Sequence, residues 1–83
     1  MTIPTRIHDI IRKVIKHPQV TAVDSNMDLK RDLRADSLDC MCISIELEQE
    51  FGIEFRDAEL LTSESVGDIE ALVLGKLNER IAA

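Results

Sequence analysis

Apolar residues at Ile3, Ile7, Ile10, Ile11, Val14 and Ile15 recur at offsets of 4, 3, 1, 3 and 1, the spacing of one face of an amphipathic helix. Pro4 suits its first turn, where a missing N–H costs nothing. Pro18 predicts its end, because the residue before a proline, His17, is pushed away from helical angles. Between residues 18 and 36 the periodicity lapses, and Val20, Val23, Met27, Leu29 and Leu33 are dotted among polar residues. So long a connection in so short a chain is expected to be pinned to the core by those side chains. Helical spacing returns from Ser37 to Phe51, with Asp36 or Ser37 as N-cap, Asp39 in the first turn and Gly52 as the stop. Arg56 to Leu61 predicts one short turn or two, and Ser65-Val66-Gly67-Asp68 predicts a capping box that opens a last helix running to about Arg80. The apolar face of that helix is Val66, Ile69, Leu72, Val73, Leu77 and Ile81. With no strand, repeat or linker pattern, the expected fold is all-α: a small bundle of three main helices plus one short helix, forming a single domain over 1–83.

The second helix carries two apolar stripes where a surface helix needs one. Cys40, Ile43, Leu47 and Phe51 would seat it on the core. Leu38, Met41 and Ile45 form a second stripe, rotated to the side and rimmed by Cys42 and Glu48. Either the buried face is wide, or this stripe is a docking surface, apolar inside and acidic at its rim. Its start beside Ser37 favours docking.

Composition narrows the function. Eighty-three residues make one core and little room for an enclosed active site. The net charge is −6, but residues 1–34 carry +3 and residues 35–83 carry −9. The acidic half follows Ser37, so basic protein partners are expected and nucleic acid is not. No stretch reaches the roughly 20 apolar residues that span a bilayer, and no basic-then-apolar leader is present, so a cytoplasmic location without membrane insertion is expected. Cys40 and Cys42 point to different faces of one helix and are expected to be free thiols.

Ser37 stands in the run Leu33-Arg34-Ala35-Asp36-Ser37-Leu38-Asp39, where an irregular segment becomes helix. Its hydroxyl should be exposed, between carboxylates, at the positive end of a helix. No base lies nearby to make it a nucleophile, but it is well placed to carry a phosphate-linked group. Other chemistry is weaker. Asp24-Ser25-Asn26-Met27-Asp28 opens like a Ca²⁺ loop but then has Leu29 where Gly is needed and Ala35 where Glu is needed. Cys40-x-Cys42 is too closely spaced for zinc, so no metal site is expected. His8 and His17 are expected to be solvated helix residues, and no Ser-His-acid arrangement is indicated.

The chain resembles the acyl carrier proteins over nearly its whole length: the isoleucine-rich first helix, the long loop, Asp32 to Asp39 around Asp36-Ser37-Leu38, the acidic helix through Glu48-Gln49-Glu50-Phe51-Gly52-Ile53-Glu54-Phe55, and Ser65-Val66-Gly67-Asp68-Ile69. The resemblance implies a carrier rather than an enzyme, with 4'-phosphopantetheine joined covalently to Ser37 by a phosphopantetheinyl transferase and Asp36 serving transferase recognition. Acyl groups would ride on that arm as thioesters in fatty acid, specialised lipid or polyketide biosynthesis. The partners implied are acyl-transferring, synthase or acyl-activating enzymes with basic docking patches, met by Leu38, Asp39, Met41, Cys42, Ile45 and Glu48 of a monomeric carrier. The alternatives are a peptidyl or aminoacyl carrier, or an unmodified acidic helical interaction module. Two departures stand out: Arg34 replaces a common Gly, and Cys42 replaces a common acidic residue. Together with Lys30 and Arg31 they soften the acidic surface and suggest a dedicated carrier with a narrow set of partners.

Overall fold

The computed structural model describes residues 2–15, 22–56 and 59–82, the side chains of 80–82 excepted. Its elements are α1 (Ile3–Val14), α2 (Ser37–Phe51), a 3-10 turn η1 (Glu59–Thr62) and α3 (Val66–Ala82). The described residues contain no strand, only an isolated antiparallel bridge between Asp28 and Ser65. This is the expected helical bundle, with η1 as its short helix.

Thr2 caps α1 by accepting the Thr5 N–H, and Pro4 lies in the first turn. Ile15 leaves helical angles at the other end, and Arg12 and Lys13 favour the negative end of the helix dipole. The stop assigned to Pro18, together with His17 and Val20, lies outside the described residues. Ile7 and Ile11 from α1, Ile43 and Leu47 from α2, and Val66, Ile69 and Val73 from α3 meet in one core that excludes water.

The loop before α2 completes that core. Leu29 and Leu33 are 2% and 0% exposed, so each contributes up to ~1.5–3 kcal/mol of burial, as a helical residue would. Val23 and Met27 pack against them. The loop is also laced to the start of α3: Leu29 N–H donates to Glu64 O at 2.9 Å, Val66 N–H to Met27 O at 3.0 Å and Gly67 N–H to Ser25 O at 2.9 Å. The first donors of α3, which its own helix leaves unpaired, therefore find partners in loop carbonyls. The Ser65–Asp68 capping box forms as expected: Asp68 N–H donates to Ser65 Oγ at 3.2 Å, and Asp68 Oδ2 accepts Ser65 N–H at 3.1 Å.

One expectation is corrected. His8 is half-buried and held rather than freely solvated: its Nε2 lies 3.0 Å from Glu70 Oε2, with the side chains 22% and 13% exposed. Ser25 Oγ donates to the same oxygen at 2.5 Å. His8 follows buried Ile7 and Glu70 follows buried Ile69, so both sit at the edge of the α1–α3 contact, where a lone polar group would be costly. Glu70 bridges Ser25 and His8, which joins the loop, α1 and α3.

Two outcomes follow from this packing. A Cβ on Gly67 would meet Ser25 O at 3.1 Å, whereas one on Gly75 meets nothing within 4 Å. Gly75→Ala is expected to raise stability by about 0.5–1 kcal/mol, while Gly67→Ala gains none of this; urea unfolding of the two variants measures the difference. Three carboxyls titrate low. Asp28 and Asp68 fall below the ordinary 3.8 because backbone N–H groups donate to them, chiefly those of Arg31 and Glu64 respectively. Glu59 falls below 4.5 because the Lys76 ammonium bonds it. A depressed folded pKa contributes stability that is present above the ordinary value and lost as pH falls through the folded one. Unfolding midpoints should therefore drop on acidification from above 4.5 to below 3.8, and the double variant Asp28→Asn/Asp68→Asn should show a shallower drop.

Candidate functional site

The irregular chain turns into α2 at Asp36, whose extended backbone (φ −97°, ψ −177°) makes it the N-cap. Asp36 Oδ1 accepts the Asp39 N–H at 2.8 Å, and Asp39 Oδ2 accepts the Asp36 N–H at 3.2 Å. The two carboxylates thus form a reciprocal capping box, and Asp36 O takes the Cys40 N–H at 3.0 Å. Ala35 before them is buried, and its N–H donates to Leu29 O at 2.8 Å, so the cap is anchored to the core.

Ser37 is the first residue of α2 and is exposed. Its Oγ bonds no other described residue, so the hydroxyl is open to an incoming group. It borders a cleft of about 320 Å³ walled by Leu29, Lys30, Ala35, Cys40, Leu61 and Ser63. Cys40 and Leu61 also wall a second cleft of about 310 Å³, which extends along α2 past Met41 and Ser44 to Phe55.

The expected partner residues divide by exposure. Leu38, Met41 and Ile45 are 67%, 56% and 49% exposed, a continuous apolar stripe that starts beside Ser37. Cys42 is exposed and Asp39 is half-buried. Glu48 is half-buried too, and its Oε2 accepts the Phe55 N–H at 2.9 Å, which ties α2 to the segment leading to η1. Cys40, by contrast, lies in the core beside Ile43, Leu47 and Phe51. Both cysteines are free thiols; burial, with Asp39 and Asp36 adding to it, pushes the Cys40 thiol up and keeps it protonated and unreactive. No group of residues suited to hold a metal ion occurs among those described.

One neighbour of the site escaped the sequence reading, and a second was read only as part of a basic approach to Ser37. Leu61, 38% exposed, joins Met41 at the second cleft and extends the apolar surface onto η1; periodicity is silent over so short an element. Lys30 borders the same cleft as Ser37, seven residues away along an irregular loop. Arg34, read only as a charge, has a left-handed backbone at φ 57°, a conformation glycine adopts without cost.

The residues suit a covalent phosphate-linked group: a primary hydroxyl without internal partners, first-turn N–H groups of Ser37 and Leu38 beyond those taken by Asp36, and a cation across the cleft. Comparisons with known proteins agree. The family model described as "Phosphopantetheine attachment site" matches residues 5–73. An acyl carrier protein homologue of Mycoplasma genitalium is 34% identical over 68 residues, 75% of this chain and 81% of its own. An acyl carrier protein of Ralstonia nicotianae is 29% identical over 95% of this chain and 90% of its own. A solved structure of a candidate acyl carrier protein from Mycobacterium tuberculosis superposes with a TM-score of 0.79 at 26% identity, covering 89% of this chain and 97% of that one.

The left-handed residue gives a direct test of the loop that presents Ser37. Replacing Arg34 by Gly should relieve about 1 kcal/mol of backbone strain. For a chain this short that corresponds to a rise in Tm of roughly 4–8 °C. Arg34→Val should lower Tm instead, because a β-branched residue tolerates this conformation poorly. Thermal unfolding followed by circular dichroism reads both.

Proposed function

The chain belongs to the acyl carrier protein family, with that family's phosphopantetheine attachment domain, and from this premise we propose that Ser37 is the attachment residue and that the protein is a carrier rather than a catalyst. The observation that carries the proposal is the exposed Ser37 hydroxyl at the first residue of α2, inside the matched span 5–73. Its Oγ attacks the coenzyme A phosphorus that bears pantetheine; the pyrophosphate P–O bond breaks, 3',5'-ADP leaves, and a phosphopantetheinyl transferase takes up the serine proton. Asp36 commits one carboxylate oxygen to the cap and keeps the other for the transferase and its Mg²⁺. The bound arm supplies a terminal thiol that holds an acyl group as a thioester. First-turn N–H groups of α2 favour the phosphodiester by ~0.3–1 kcal/mol, and the tied carboxylates of Asp36 and Asp39 oppose it, which keeps the phosphate facing solvent.

Leu38, Met41 and Ile45, with Leu61 beside them, form the docking surface for acyl-transferring, synthase or acyl-activating enzymes. Asp39, Cys42 and Glu48 are its rim. The substituted rim position at Cys42 and the basic Lys30, Arg31 and Arg34 favour a dedicated pathway, specialised lipid or polyketide, over general fatty acid synthesis. The helices of the described residues are neither long nor apolar enough to cross a membrane, in keeping with a shuttle among enzymes.

Incubation with coenzyme A, Mg²⁺ and a broad-specificity phosphopantetheinyl transferase, followed by intact mass, tests the assignment. Wild type should gain one phosphopantetheine and Ser37→Ala none. No gain, while a known carrier in the same tube is modified, would leave an unmodified module that docks through its apolar stripe.

A further inference from the structure

The group on Ser37 would enter an anionic neighbourhood. Asp36 and Asp39 flank it in the capping box, and esterification adds a third negative charge within one helical turn. Like charges so close destabilise one another unless a cation stands near.

Three basic side chains precede the serine, and the structure separates them. Arg31 borders a neighbouring cleft, with Asp28, Thr62 and Glu64, which Lys30 also lines, and Arg34 borders neither. Of the three, Lys30 alone lines the cleft of Ser37, together with the apolar Leu29, Ala35 and Leu61. Its backbone is fixed, because Lys30 N–H donates to Asp28 Oδ1 at 2.9 Å within the bridge-forming turn. Its charge also reaches Cys40, one turn beyond Ser37 on α2, where it opposes Asp36 and Asp39. The ion pairs of the described residues are Arg6–Glu50, His8–Glu70, Lys13–Glu46 and Lys76–Glu59, so the Lys30 ammonium is committed to none of them.

We infer that Lys30 is a positioning residue for the prosthetic group: its ammonium pairs with the phosphodiester on Ser37 and draws the base of the arm toward the loop side of the site, away from the Leu38–Met41–Ile45 stripe. This rests on Ser37 as the attachment residue. It gives the two tasks different side chains, Lys30 for the arm and the Leu38–Met41–Ile45 stripe for the partner, with Leu61 shared between the cleft and the docking surface.

Phosphorus NMR of the modified protein reads the pair directly. Raising salt from about 0.01 M to about 1 M shortens the screening length from ~30 Å to ~3 Å. The phosphodiester signal of wild type should move over this range. That of Lys30→Met should begin at the high-salt position and stay there, Lys30→Arg should restore the movement, and Arg31→Met should follow wild type. The change in Tm on modification should also be more favourable in wild type than in Lys30→Met, and because Lys30 is exposed this variant should fold. A Lys30→Met signal that responds to salt as wild type does, or a response lost in Arg31→Met instead, overturns the inference. Intact mass of each sample keeps the two readings apart: modified protein with an unmoved signal removes the role of Lys30 alone, whereas wild type without a mass gain removes the attachment at Ser37 and the inference with it.

Discussion

The lacing of the long loop to the start of α3 is the constraint on which the site depends. Three backbone hydrogen bonds join residues 25–29 to residues 64–67, and Gly67 permits the approach, with room for little more than its hydrogen beside Ser25 O. Once that seam is closed, Leu29 and Leu33 fall into the core, and the Ala35 N–H bonds back to Leu29 O. Asp36 then has one place to be, and α2 begins there. The position of Ser37 is thus set by contacts made by residues 25–35 rather than by the serine itself.

Charge does different work on the two sides of the molecule. The basic residues 1–34 and the acidic remainder look in sequence like a strongly polarised surface. Much of that contrast is internal: Arg6 pairs with Glu50 and Lys13 with Glu46 across α1 and α2, and Lys76 pairs with Glu59 across α3 and η1. The first two pairs are exposed and contribute little stability, at most ~1 kcal/mol each. They join α1 to α2, and two of the three cations also sit over aromatic rings, Arg6 at 5.0 Å from the Phe51 centroid and Lys76 at 5.3 Å from that of Phe55. What faces a partner is correspondingly less acidic than the count of charges suggests, with Asp36, Asp39 and Glu48 each spending part of its carboxylate on backbone N–H groups.

The helices were legible because each announces itself locally. The isoleucine spacing of α1, Asp36 and Asp39 at the start of α2, Gly52 at its left-handed end and Ser65 with Asp68 before α3 are all read within four residues of where they act. The two stripes of α2 were legible for the same reason, and their exposures follow the division drawn from spacing. What stayed hidden depends on partners far along the chain. His8 and Glu70 are 62 residues apart, and nothing near His8 signals that it is held. Lys30 reads as one of three basic residues, and only the folded loop sets it on the same cleft as Ser37. The left-handed backbone of Arg34 is not signalled by the arginine itself; the one hint was that related carriers commonly have Gly there.

A carrier must hold its cargo and give it up at every enzyme it visits, and the energies around Ser37 are on that scale. A solvent-exposed pair between an ammonium and a phosphodiester contributes no more than ~1 kcal/mol, a roughly fivefold bias in where the base of the arm rests. Leu38, Met41 and Ile45 are about half to two-thirds exposed, so a partner that buries them gains that fraction of ~1.5–3 kcal/mol for each, together still enough to overcome that bias. A buried, well-bonded cation at Lys30 would hold the arm more firmly and slow every transfer. An exposed lysine such as Lys30 would bias the unbound carrier yet yield on docking, when a partner covers the apolar stripe.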